Sequence, residues 1–154
     1  MYDNWGINLL VVAVTAITVS LAVLIHYEGL VQVSQRLNQM RTQRRRKVLY
    51  GIFAVLILHV AEIWVFGSAL WGLLELAGAG HLTGTLHVSL LDAIYLSAAT
   101  YTTVGFGDLA PVGAVRFLVG TEALTGFVLI TWSASFTYLE MEHFWRLRRK
   151  ADEE

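Results

Sequence analysis

The sequence predicts an all-α membrane protein with three membrane-spanning helices and a shorter helix between the second and the third. Of its 154 residues, 56% are apolar and 15% are charged, and the mean hydropathy is +0.58. In soluble domains about a quarter of all residues are charged. Three apolar segments also reach the ~20 residues that cross a bilayer as a helix. An ordinary water-soluble domain and a disordered chain are therefore excluded, and the absence of cysteine excludes disulfides and thiolate sites.

The first apolar segment covers residues 7–25 and holds no charged side chain. A secretory signal peptide would begin with basic residues, whereas Asp3 precedes this segment and Glu28 follows it. We therefore expect an uncleaved first span. Together with the basic linker that follows, it forms an N-terminal unit over residues 1–47.

Residues 32–47 form a polar linker without Pro or Gly, which predicts a helical extension or a short amphipathic connector. The run is too polar to enter the membrane as a voltage sensor. Its cations either form a solvated loop or attract anionic lipid, at about 1 kcal/mol per charge near the surface. The candidate lipid-binding residues are Arg41, Arg44, Arg45, Arg46 and Lys47.

Residues 48–75 and 114–145 are predicted to be the second and third spans, and residues 151–154 a polar tail. Every Lys and Arg except Arg116 lies in one of two runs, residues 36–47 and 146–150. The positive-inside rule places both runs in the cytoplasm. The amino terminus and residues 76–113 are then outside, and the carboxyl terminus is cytoplasmic.

Residues 76–88 are rich in Gly and small polar residues and are predicted to be a loop. Residues 89–101 are predicted to be a helix, with Ser89 and Asp92 in a capping pattern at its start. This helix is too short to span. An apolar helix of this length between two spans indicates a re-entrant element covered by protein or water.

The short helix leads directly into the sequence TTVGFGD, which resembles the filter of the potassium-channel pore family. The resemblance covers about residues 48–150, in the family's order of outer helix, outer loop, pore helix, filter and inner helix. A G-x-G-x-x-A dinucleotide pattern also fits, but it requires a preceding strand in a βαβ unit. The candidate filter segment comprises Thr102, Thr103, Val104, Gly105, Phe106, Gly107 and Asp108.

A potassium ion that sheds water needs replacement oxygens, which backbone carbonyls from four chains can supply. Carbonyls that point the same way require backbone conformations of alternating hand, and Gly105 and Gly107 adopt positive φ without steric penalty. The resemblance implies that Thr102 and the side chains of Val104 and Phe106 face away from the pore. It implies K⁺ sites at the carbonyls of Thr103, Val104, Gly105 and Phe106, with the Thr103 hydroxyl at the innermost site.

Two departures from the family pattern concern the support of the filter. Phe106 replaces the commoner Tyr, and Tyr95 and Leu96 stand where many members carry a pair of Trp residues. Ala99 occupies the position at which some bacterial members have a Glu that braces Asp108. Tyr95, Glu62 and Glu122 are the candidates for filter support. The alternative for the two carboxyl groups is a structural role between helices, because a membrane-buried carboxyl must be neutral, paired or hydrated.

The third span contains Gly126, which is either a hinge or a site of close helix packing. If the family geometry holds, the cavity and gate are lined by residues at helical spacing after it: Phe127, Ile130, Ala134 and Tyr138. Thr131 and Ser135 are the competing choices. Tyr138 is the candidate for the narrowest point.

Two His–Glu pairs have the spacing found on dimetal helices, His59 with Glu62 and Glu140 with His143. Their depths in the membrane differ, so we expect no metal centre from them. No cofactor is expected beyond K⁺ as the permeant ion.

The resemblance implies a potassium-selective channel that conducts passively as a homotetramer in a bacterial inner membrane. No nucleotide-binding or hydrolytic motif is found, so we expect neither an enzyme nor a nucleic-acid-binding protein. The alternatives are a weakly selective cation pore and a nonconducting membrane interaction subunit. We expect the extra first helix to pack outside the outer helix.

Overall fold

The computed structural model describes the backbone of residues 5–40 and 44–152 and the side chains of residues 5–40 and 46–142. Among the described residues, three long helices are apolar enough to cross a membrane, which confirms the predicted all-α membrane class. In chain order the elements are α1 (Trp5–Gln39), α2 (Arg44–Leu74), β1 (Gly80–Thr83), α3 (Leu90–Tyr101), β2 (Ala110–Gly113) and α4 (Arg116–Asp152).

The long helices extend beyond the predicted spans. α1 continues through the polar residues 32–39, which is the helical-extension alternative for the linker. α4 continues past residue 145 into the predicted tail and ends at Asp152. Neither extension contains Pro or Gly, so nothing in the backbone ends the helix where the apolar segment ends.

The short helix α3 begins at the predicted capping residue. Ser89 accepts a hydrogen bond from the Asp92 amide at 3.2 Å, and the Asp92 carboxylate accepts one from the Ser89 amide at 2.8 Å. The two amides at the helix start are thereby satisfied reciprocally. The predicted capping pattern is confirmed.

A two-stranded antiparallel sheet, which the sequence did not predict, connects the segments on either side of α3 and the filter segment. β1 pairs with β2 in the register from Gly80↔Gly113 to Thr83↔Ala110. A Cβ on Gly80 would lie 2.1 Å from the Val112 carbonyl oxygen, so only glycine allows this approach. Strands of four residues that contain Gly and Pro lack the alternating pattern by which strands are recognised.

α1 packs through one stripe of buried residues spaced three or four apart, as expected for one face of a helix. The stripe consists of Val11, Thr15, Thr18, Ala22, His26, Leu30, Val33 and Leu37. On one side Gly29 meets the Leu58 side chain of α2, and on the other Ser34 donates a 3.0 Å hydrogen bond to Glu140 of α4. α1 therefore contacts the third span as well as the outer helix, which is a wider contact than we expected.

Candidate functional site

The filter segment, residues 102–108, alternates in backbone hand. Thr103, Gly105 and Gly107 have φ values of +60°, +56° and +80°. Such values are rare for a residue with a Cβ, and Thr103 is the only non-glycine residue with positive φ in the part of the chain that the structure describes. The segment is exposed along its whole length on the single chain.

Hydrogen bonds attach the start of the filter segment to the carboxyl end of α3. The Thr103 amide donates to the Thr100 carbonyl at 2.9 Å, and the Gly105 amide donates to the Ala99 carbonyl at 3.0 Å. The Thr102 hydroxyl turns back and donates to the Ala98 carbonyl at 2.7 Å. α3 thus fixes where the filter segment begins, and the Thr102 side chain lies on the helix.

Tyr95 contacts the C-terminal half of the filter segment at two points. Its ring stacks on Phe106, with ring centroids 6.3 Å apart and planes 6° from parallel. Its hydroxyl donates a 2.8 Å hydrogen bond to Asp108 Oδ2. This bond raises the pKa of Tyr95 above its ordinary value, because deprotonation would place two anions together.

Val104 is 56% exposed on the single chain.

α3 is clamped between two glycines of the neighbouring spans. A Cβ on Gly67 of α2 would lie 2.8 Å from the Ile94 Cα atom, and a Cβ on Gly126 of α4 would lie 2.2 Å from the Tyr101 carbonyl oxygen. α4 runs without interruption through Gly126. Gly126 is thus a site of close packing in this structure, and its hinge role stays a prediction.

Neither membrane carboxyl reaches Asp108, because both lie against α3. Ser97 Oγ donates to the Ile63 carbonyl at 2.9 Å and also contacts one carboxyl oxygen of Glu122. The other oxygen of Glu122 is buried and has no hydrogen-bond partner among the described residues. Glu122 thus joins α4 to the middle of α3 behind the filter segment.

Glu62 lies at the centre of a buried polar cluster that connects four helices. One carboxyl oxygen is 2.8 Å from His26 Nδ1, and the other is 3.1 Å from His59 Nδ1 and accepts a hydrogen bond from the Tyr101 hydroxyl. Ser133 Oγ of α4 lies 3.3 Å from His26 Nε2. His26 and Glu62 are fully buried. Through the bond from the Tyr101 hydroxyl, Glu62 contacts the last residue of α3, which directly precedes Thr102.

Sequence reasoning missed His26 as a partner of Glu62. The two residues are 36 positions apart, and His26 belongs to the helix that the family resemblance does not cover. A signal was nevertheless present, since His26 continues the apolar stripe between Ala22 and Leu30 at a spacing of four. A histidine on a buried helix face needs a polar partner.

The predicted cavity and gate residues lie on two sides of α4. Ile130, Ala134 and Tyr138 line a groove of about 420 Å³ between α4 and α2. Phe127, Thr131 and Ser135 are exposed on the single chain. The hydroxyls of Thr131 and Ser135 bond to carbonyls of their own helix, at 3.0 Å in each case.

The predicted lipid-binding run is only partly within the described residues. The side chains of Arg41, Arg44 and Arg45 lie outside them, Arg46 is exposed, and Lys47 is half-buried. The His143 side chain also lies outside the described residues. The prediction for the Glu140–His143 pair therefore lies partly outside the described residues.

Comparison with known proteins identifies the family of this arrangement. The model of the ion channel family matches residues 47–141. Protein LctB of Bacillus caldotenax is 37% identical over 57 residues, which cover 36% of this chain and 42% of that protein. Protein LctB of Geobacillus stearothermophilus is 45% identical over 40 residues, which cover 26% and 30% of the two chains. No solved structure gave a significant match.

The inward rectifier potassium channel Kirbac3.1 of Paramagnetospirillum magnetotacticum is 32% identical over 85 residues, which cover 54% of this chain and 29% of that channel. The chain thus spans less than half the length of each of these three relatives. The family match covers α2, α3, the filter segment and most of α4, whose geometry is that of a re-entrant helix and filter between two spans. The chain is an integral membrane protein that belongs to the ion channel family and has the pore architecture of potassium channels.

Proposed function

We propose that this protein conducts K⁺ selectively and passively through a pore lined by backbone carbonyls. The observation that carries the proposal is the positive φ at Thr103, Gly105 and Gly107, every second residue of the filter segment. Alternating hand turns successive carbonyls toward one side of the strand. The carbonyls from Thr103 to Phe106, with the Thr103 hydroxyl, would then replace the water around a dehydrated K⁺ ion.

The pore is formed by a homotetramer. One chain carries one filter segment and so supplies one of the four walls that a carbonyl-lined K⁺ site requires. The exposure of residues 102–108 on the single chain supports a homotetramer, because the exposed side of each filter segment is free to face the filter segments of the other three chains. The named activity of one relative, an inward rectifier potassium channel, agrees with the proposed ion.

The filter faces outward, and the amino terminus is outside. Both basic runs, residues 36–47 and 146–150, then lie in the cytoplasm. The bacterial sources of the relatives support an inner-membrane location. Anionic headgroups of the inner leaflet would be attracted to Arg41, Arg44, Arg45, Arg46 and Lys47.

The experiment is a flux assay with the purified full-length protein in liposomes. A K⁺ gradient should drive rapid K⁺ efflux that Ba²⁺ blocks, and chemical cross-linking in the membrane should end at a four-chain product. Gly105→Ala is the test variant. An added Cβ would meet no atom within 4 Å, so packing is unaffected, but the backbone there has a φ of +56°, which alanine adopts only at a cost. We expect that it assembles but loses flux. Liposomes that retain K⁺, or protein that stays monomeric, would contradict the proposal.

A further inference from the structure

We propose that His26, His59 and Glu62 form a binding site for a divalent transition metal ion, with Zn²⁺ as the best-fitting ion. The ligand atoms that these three side chains offer all lie within 4.8 Å of one another. Two imidazole nitrogens and one carboxylate oxygen are a donor set that Zn²⁺ prefers. The inference concerns binding alone and does not depend on conduction.

The spacing of the donor atoms suits a tetrahedral ion. Zinc–ligand bonds of about 2.0–2.1 Å place two ligands of a tetrahedral site roughly 3.3 Å apart. Glu62 Oε1 lies 2.8 Å from His26 Nδ1, and Oε2 lies 3.1 Å from His59 Nδ1. These two pairs are thus close to the tetrahedral spacing, whereas the full set of ligand atoms extends to as much as 4.8 Å, so binding would draw the two histidines together around the carboxylate. The Tyr101 hydroxyl donates its hydrogen to Glu62 Oε2 and so supports the carboxylate from outside the ligand set.

The charge of the cluster also favours a cation. Glu62 is fully buried in a span, and its contacts among the described residues are two imidazoles and a phenol, with no Lys or Arg. With neutral histidines the ionised cluster carries one negative charge in a medium of low dielectric. Buried ionisable groups in spans are costly and mark ion or ligand sites.

His26 has the outer support that a metal-bound histidine requires. When one ring nitrogen binds a metal, the other donates its hydrogen to a neighbour that fixes the ring. His26 Nε2 lies 3.3 Å from the buried Ser133 Oγ, which can accept that hydrogen bond. His59 is 13% exposed and lines the groove between α2 and α4, so the cluster is open to that groove on one side.

A bound ion would join α1 to α2 and, through the hydrogen bond from Tyr101 to Glu62, would also reach α3. His26 comes from α1, His59 and Glu62 come from α2, and Tyr101 is the last residue of α3. The site would thus connect the extra first helix to the residue directly before the filter segment.

The test is Co²⁺ titration of the purified full-length protein, followed by competition with Zn²⁺. Tetrahedral Co²⁺ absorbs intensely in the visible range, so we expect saturation at one ion per chain and displacement by Zn²⁺. H26Q, H59Q and E62Q should each abolish the spectrum. The matched controls are H87Q, which removes an exposed histidine, and E122Q, which alters another buried carboxyl. Both controls should bind as the wild type does.

A second variant keeps the proposal testable if the ligand variants do not assemble. Ser133→Ala removes only the outer support and should lower the affinity for Zn²⁺ roughly 10- to 100-fold. The measurement is the Zn²⁺ concentration that gives half of the maximal rise in melting temperature. No stoichiometric binding by the wild type, binding retained by H26Q, loss of binding in H87Q, or unchanged affinity in Ser133→Ala would each overturn the proposal.

Discussion

The Tyr95 hydroxyl donates a 2.8 Å hydrogen bond to the Asp108 carboxylate, and so connects the middle of α3 to the C-terminal end of the filter segment. Ala99 cannot provide the carboxyl brace found at its position in some bacterial members of the family. The Tyr95 ring also stacks on Phe106, which lacks the hydroxyl of the commoner Tyr. One side chain thereby contacts two residues in the C-terminal half of the filter segment.

Tyr95→Phe should keep the ring stack and remove the bond to Asp108. The C-terminal end of the filter segment then loses its hydrogen bond to α3. We therefore expect the sustained K⁺ flux to fall several-fold, while the initial flux is less affected. Tyr27→Phe is the control, since Tyr27 is half exposed on α1, outside the family match. Equal loss in both variants, or no loss in Tyr95→Phe, would count against the role of this bond.

The start of α3 should become less stable in acid. Hydrogen bonds from the Ser89 amide and hydroxyl lower the pKa of Asp92 below its ordinary value of 3.8. The folded state therefore holds fewer protons than the unfolded state near that pH. The contribution of Asp92 to stability is present above pH 3.8 and is lost as the pH falls through its folded pKa.

Asp92→Asn should remove this acid sensitivity. The melting temperature should fall less between pH 7 and pH 3 in Asp92→Asn than in the wild type, because Asn does not titrate. Wild-type and variant curves that run parallel over this range would show that the Asp92 carboxylate contributes nothing to the pH dependence.

Gly126→Ala should disrupt the packing of α3 on α4. The added Cβ would lie 2.2 Å from a backbone oxygen of Tyr101, which cannot move without displacing the filter segment. Overpacking of this kind costs about 1–3 kcal/mol. Gly120→Ala on the same helix meets no atom within 4 Å and should be neutral or stabilising. Thermal unfolding of both variants tests this, and a tolerated Gly126→Ala would argue against tight packing here.

Leu30→Ala should weaken the attachment of α1. Leu30 is buried in the packing stripe, and removal of a buried leucine side chain costs about 2–5 kcal/mol. Leu24→Ala on the same helix is the control, because Leu24 is 59% exposed. If α1 only adds surface that faces lipid, the two variants will have equal melting temperatures.

Much of the fold was predictable because apolar segment length determines membrane spans. The three spans, the short helix and its Ser89 cap follow from hydropathy and one capping pattern. The sheet of β1 and β2 was missed since its close approach depends on Gly80 and Gly113, which in a sequence look like loop residues. The extension of α1 through residues 32–39 was one of two predicted alternatives, whereas the continuation of α4 past residue 145 was missed because its polar residues continue the helix beyond the apolar segment.

The site was predictable where chemistry is local and unpredictable where it depends on packing between distant helices. Gly105 and Gly107 indicate alternating backbone hand directly from the sequence. Positive φ at Thr103 does not follow from its residue type. The His26–Glu62 contact depends on how α1 lies against α2, which no short-range pattern determines.

The reversal potential of the purified channel in a planar bilayer tests directly whether residues 102–108 form a K⁺-selective filter. With equal concentrations of K⁺ on one side and Na⁺ on the other, we expect a large reversal potential of the sign that opposes K⁺ flow, and we expect Ba²⁺ to block the current. A reversal potential near zero under these conditions would mean almost equal permeability to K⁺ and Na⁺ and would contradict a K⁺-selective filter.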